Sequence, residues 1–151
     1  MAIGYSLGSG LLGDAVISSI TVGCVVYTFD VPPPCDVYGQ VFTNDLGTWD
    51  LSQTRTSGHN ELVPGGLHVW TESNTSEDKA AGYYAVSFPL AEIGVPSIEI
   101  ASYTGGRPSL QIAVDIDNNG SFDGFLVYEP WAHGEGTYWA TQYFGVVAGL
   151  G

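Results

Sequence analysis

The chain is nearly without positive charge. Its 151 residues carry 3 Lys+Arg, only one of them a lysine, against 16 Asp+Glu, for a formal net charge of −13. Binding to phosphate backbones needs a basic face, and three cations do not make one, so nucleic acid is excluded as a partner. An anionic membrane surface is disfavoured for the same reason. Long apolar runs are also missing. No stretch approaches the about 20 residues that a membrane-crossing helix needs. The N-terminus has no basic region, and Ser, Gly and Asp break its apolar stretch, so no signal peptide is expected. Cysteine is scarce: Cys24 and Cys35 are the two, and they bracket a turn-rich stretch containing Pro32–Pro34. A disulfide there would staple a hairpin-like excursion, worth about 2–3 kcal/mol for so short a loop. The alternative is two free thiols acting as small core residues.

Catalytic signatures are absent as well. His59, Glu61 and His68 lie close in sequence, but no HExxH or comparable zinc spacing is present. In the alternating run Leu67–Trp70, His68 falls on the face opposite Leu67 and Val69, which predicts a surface or hydrogen-bonded histidine. Glu72, Glu129 and Glu135 are glycosidase candidates by residue type alone, and sixteen acids make such pairs easy to find by accident. No nucleophile elbow appears, and Gly8–Gly10 is followed by no Gly-Lys-Ser/Thr, so it is no phosphate loop. The chain reads as non-enzymatic.

What is present is a chain of short apolar runs and turns. With 21 glycines, 8 prolines, 44% hydrophobic and 13% charged residues, it has enough apolar surface for a core. Almost no helical periodicity is visible. Ala2–Leu7, Ala15–Val22, Cys24–Phe29, Thr48–Leu51, Leu67–Thr71, Tyr83–Phe88, Ile98–Tyr103, Leu110–Val114, Phe125–Tyr128 and Thr137–Phe144 read as strands. One helical turn is expected at Leu90–Ile93, and Ser73–Lys79 reads as a polar loop. About ten short strands with turns every 8–12 residues argue for an all-β, antiparallel β-sandwich, with a jelly roll as the expected form. We expect one domain over 1–151. Residues 1–30 supply N-terminal strands, 31–36 a proline-rich connection and 37–151 the main sandwich. The first strands are too few to fold alone, so they join the main sandwich or a neighbouring copy.

The richest stretch is Asp115–Gly124. Asp115, Asp117, Asn119, Ser121 and Asp123 put side-chain oxygens in a tight loop, with Gly120 at its sixth place. That spacing suits calcium, which wants several hard oxygens at once. The twelfth place, where an EF-hand has a bidentate glutamate, is Leu126, and strand-like residues flank the loop. A β-hairpin tip is therefore expected rather than a helix–loop–helix. The alternative is a polar turn with no metal, because Asn, Asp and Gly are what turns use.

Aromatic residues supply the other lead. Trp131, beside Pro130 in a glycine-rich stretch, with Tyr128 and Tyr138, follows the acidic loop and is the candidate patch for stacking on a sugar or anchoring an interface. Trp70 and Trp139, in strand-like runs, are expected in the core. The Asn74–Ser76 and Asn119–Ser121 sequons are short enough to arise by chance.

Several stretches, taken in order, resemble a known module. They are Gly4–Gly10 with Gly13-Asp14, Ser19–Gly23, Tyr27–Phe29, Gly58–Glu61, Gly66–Glu72, Asn74–Ser76, Asp78–Tyr83 and the acidic loop running into Gly124–Val127. Together they resemble a β-sandwich module that recurs in structural and minor tail proteins of actinobacterial phages and in some secreted actinobacterial proteins. The resemblance implies a virion, or otherwise extracellular or cell-surface, setting. The implied role is structural, capsid-decorating, tail-associated or sugar-facing, with identical copies, other virion proteins or a bacterial envelope glycan as partners. Gly4–Gly10 usually closes such a module but opens this chain. That implies a circularly permuted copy, or first strands that complete a neighbour's sheet.

Overall fold

The computed structural model describes residues 1–8, 12–22, 25–28, 40–42, 46–86, 97–129 and 138–140. These form eleven strands: β1 (Ala2–Gly8), β2 (Gly13–Val22), β3 (Val25–Thr28), β4 (Gln40–Phe42), β5 (Gly58–Val63), β6 (Gly66–Thr71), β7 (Lys79–Ala85), β8 (Ser97–Gly105), β9 (Ser109–Val114), β10 (Gly124–Tyr128) and β11 (Tyr138–Ala140). A single 3-10 turn, Leu46–Thr48, is the only helical element among the described residues.

The strands make two sheets. One runs β11-β10-β9-β1-β7. The other runs β4-β3-β2-β6-β5, with β8 on the remaining edge of β2. Pairing is antiparallel throughout except between β3 and β4. The molecule is an antiparallel β-sandwich, as its alternating sequence requires. Nothing in the strand order singles out a jelly roll.

Period-two alternation decides which side chains meet between the layers. Ile3, Tyr5 and Leu7 of β1 face inward with Leu110, Ile112 and Val114 of β9 and Tyr128 of β10. From the other sheet come Ala15, Ile17 and Ile20 of β2 and Leu67 and Val69 of β6. Each large aliphatic side chain so buried contributes about 1.5–3 kcal/mol. Trp49 joins this core, its ring 5.8 Å from Tyr5 and 5.6 Å from Tyr84. Thr48–Leu51 does not form the expected strand. The 3-10 turn closes through Trp49 N–H to the Leu46 carbonyl, and Asp50 then makes a two-bond bridge to Tyr83 on the edge of β7.

The N-terminal strands sit in the middle of this chain's own sheets. β1 lies between β7 and β9, and β2 pairs with β3, β6 and β8. Within this chain the first strands therefore pair with strands of the 37–151 segment.

Candidate metal centre

The last pair of the β9–β10 hairpin is Val114 with Gly124, and Asp123 N–H closes it by donating to the Val114 carbonyl at 2.8 Å. Residues 115–123 therefore project from the end of the sandwich. Two consecutive apolar strands hold the tip, and its own residues are free to be polar. Asn118 (φ 56) and Gly120 (φ 89) take left-handed backbone angles, which asparagine tolerates and glycine adopts without strain.

That backbone turns three carboxylates toward one point. Asp115, Asp117 and Asp123 each offer an oxygen within 4.8 Å of the others. Calcium binds oxygens at 2.3–2.6 Å, so two ligands on opposite sides of one ion stand about 5 Å apart. The separation fits, and the donor set is the hard oxygen set calcium prefers. Asp115 and Asp123 are half-buried and Asp117 is exposed.

Hydrogen bonds within the loop hold this arrangement. Asp115 accepts from Asn119 N–H at 3.1 Å and from Gly120 N–H at 2.8 Å. Asp117 accepts from Asn119 N–H at 3.2 Å and from Asn119 Nδ2 at 2.9 Å. Ser121 N–H donates to Asn119 Oδ1 at 2.8 Å, and Ile116 N–H to Asp123 Oδ2 at 2.6 Å. Partial burial alone would raise the Asp115 carboxyl. The Gly120 and Asn119 N–H groups, with Asp117 and Asn118, outweigh it and bring the carboxyl below its ordinary value. Leu126, at the place of an EF-hand's glutamate, packs against the core. The hairpin expectation therefore holds.

The aromatic candidates fare differently. Tyr128 is 6% exposed and packs in the main core, so its ring is not offered to a ligand. The expectation fails there because Tyr128 stands in register with Leu110, an inward position of β9. Tyr138 opens β11, opposite Tyr128. Trp131, Cys24, Cys35 and the Leu90–Ile93 turn lie outside the described residues.

The outer face of the β2–β6–β5 sheet carries a second polar group. Trp70 is half-buried there, not in the core, because it shares the parity of His68. His59 stacks on it with ring centroids 4.6 Å apart, and His68 with 4.3 Å. His59 Nε2 lies 2.8 Å from Glu72 Oε1, and His68 Nε2 lies 3.0 Å from Asp14 Oδ1. His68 is thus the hydrogen-bonded surface histidine that alternation predicts. The aromatic stack itself is missed by a linear reading, because it depends on the His59–Trp70 cross-strand register.

Comparison with family models, curated proteins and solved structures finds no match to this chain.

Proposed function

We propose that the chain is a non-enzymatic structural module of a phage virion, decorating or tail-associated, with calcium held at the β9–β10 tip. The convergence of Asp115, Asp117 and Asp123 is the observation that carries the calcium half of this reading. The virion half rests on the ordered motifs between residues 58 and 127, which fall on β5 to β10. Because β1 and β2 are central strands, docking on identical copies or on a particle uses loops and sheet margins. Reciprocal exchange of residues 1–30 would instead fill the same places in both sheets with a neighbour's β1 and β2.

A second reading is calcium-dependent recognition of a bacterial envelope glycan. Phe122 favours it: the ring stands on the acidic loop itself and is 47% exposed. Apolar sugar faces stack on such rings.

Thermal melting in chelator and in millimolar calcium tests the ion. A ligand selective for the folded state, at a hundred times its Kd, adds about 2.7 kcal/mol. An unmoved melting temperature removes the calcium. Light scattering at micromolar concentration and electron microscopy with candidate particles test the module. A strict monomer that labels no particle removes the virion role. A glycan array with and without chelator that stays blank removes the second reading.

A further inference from the structure

We propose that Asn119–Gly120 is a self-modifying site, at which the loop converts the asparagine amide to an acid through a cyclic imide. Asn119 is the one asparagine followed by glycine; Asn44, Asn60, Asn74 and Asn118 precede Asp, Glu, Thr and Asn. A following glycine has no side chain to obstruct attack by its backbone nitrogen.

The loop adds three contacts to that dipeptide. First, Asn119 Oδ1 accepts the Ser121 N–H at 2.8 Å. A side chain that reaches the N–H two residues on is folded back alongside the intervening Gly120 nitrogen, the atom that must attack. The same N–H stabilises negative charge developing on Oδ1, as oxyanion-hole donors do. Second, Gly120 N–H donates to Asp115 Oδ2 at 2.8 Å, so a carboxylate already holds the hydrogen that has to leave. Third, Asn119 Nδ2 donates to Asp117 Oδ2 at 2.9 Å, which holds the departing nitrogen beside an anion able to receive ammonium. Asn119 and Gly120 are both exposed, so water reaches the product.

The reaction balances without a redox partner. The Gly120 nitrogen bonds to Asn119 Cγ, and the Cγ–Nδ2 bond breaks. Ammonia leaves, carrying the former Gly120 hydrogen, which passes along the Asp115 hydrogen bond. One water then opens the imide at either carbonyl, giving aspartate or isoaspartate. The aspartate product adds a carboxylate to the tip. The isoaspartate product inserts a methylene into the main chain between Asp115 and Asp123. Neither step needs a bound cation, so the proposal stands apart from the calcium reading.

The test is peptide mapping by mass spectrometry after days at neutral pH in chelator, with isoaspartate scored separately. The native chain, the same chain unfolded in urea and the Asp115→Asn variant are compared. Asn119 is expected to convert at least about tenfold faster than Asn60 or Asn74, a barrier difference of about 1.4 kcal/mol. The native rate is expected to equal or exceed the unfolded rate, and Asp115→Asn to slow the native chain only. Native conversion well below the unfolded rate would show that the fold protects the amide, and would overturn the proposal. So would an Asp115→Asn rate equal to wild type. Circular dichroism confirms that the variant is folded, so a slow rate is read on an intact sandwich.

Discussion

The Tyr5 hydroxyl donates to Asn60 Oδ1 at 2.8 Å, so a side chain from the centre of one sheet is bonded to an edge strand of the other. The link continues. Asn60 Nδ2 donates to Thr54 Oγ1 at 2.9 Å, and Thr54 Oγ1 donates to the Ala81 carbonyl at 2.8 Å and accepts the Ala81 N–H at 3.2 Å. The chain of bonds therefore leaves β1, crosses to β5 and returns to β7. Tyr5 is fully buried, and burial first, then the Tyr83 phenol, push its hydroxyl far above the ordinary tyrosine value. Tyr5→Phe leaves Asn60 without its donor. Asn60 is half-buried, so the expected cost is about 0.5–1.5 kcal/mol, the net worth of one hydrogen bond. Urea denaturation measures it. A double-mutant cycle with Thr54→Val is expected to show coupling, because both changes cut one network.

Gly58 lies against Lys79 where β5 and β7 approach at the side of the sandwich. A methyl group on Gly58 would collide with the Lys79 carbonyl, a backbone atom that does not swing aside. Gly58→Ala is expected to lose about 1–3 kcal/mol, the usual cost of overpacking. The fall in denaturation midpoint measures it.

How much of this was legible in the residues depends on what each position needed to state. β1, β6 and β9 alternate apolar with small or polar residues, and their inward faces follow from that alone. The successive β-rich runs Ala15–Val22 and Cys24–Phe29 contain β2 and β3, which pair antiparallel. The hairpin tip and the convergence of its three carboxylates were readable because residue spacing within one turn is local information. β5 was missed, since His59, Asn60 and Glu61 give it no apolar stripe; it is held by cross-strand bonds to β6 and by Asn60's side chain. Trp70 was misplaced because a tryptophan in a strand suggests core, while parity with His68 puts it outside. Tyr128 was misplaced the opposite way: neighbouring loop residues suggested a surface, and its pairing with Leu110 takes it inside.

The stack of His59 and His68 on Trp70 has an optical consequence. Imidazole in contact with indole quenches its fluorescence. His68→Ala and His59→Ala are each expected to brighten emission relative to the parent chain, and a Trp70→Phe background is expected to abolish the increase. The histidine–carboxylate pairs are exposed, so stability changes stay within about 1 kcal/mol. Steady-state fluorescence beside urea denaturation separates the two effects. Unchanged emission in both single variants would contradict the stacked geometry.

Asp78 gives the molecule an acid-sensitive joint. It is 2% exposed, yet its carboxylate is surrounded by donors from three directions. The Ser57 and Ser73 hydroxyls both donate to it, as do Thr75 N–H at 3.0 Å and Thr75 Oγ1 at 2.6 Å. Ser57 chiefly, then Ser73 and Thr75, hold the carboxyl far below the ordinary carboxylate range. The bonds tie the start of β5 to the β6–β7 loop, so protonation releases that junction. The folded-state value lies below the unfolded one. The stabilisation is therefore complete above about pH 4, the ordinary aspartate range, and disappears as pH falls toward the folded value. Asp78→Asn cannot accept with both side-chain atoms, so at neutral pH it is expected to melt below wild type. As pH drops below about 4, wild type loses stability faster than the variant and the gap between them narrows. Melting curves of both proteins across the acid range measure this. A gap that stays constant with pH would show that the Asp78 carboxylate does not carry the junction's charge-dependent stability.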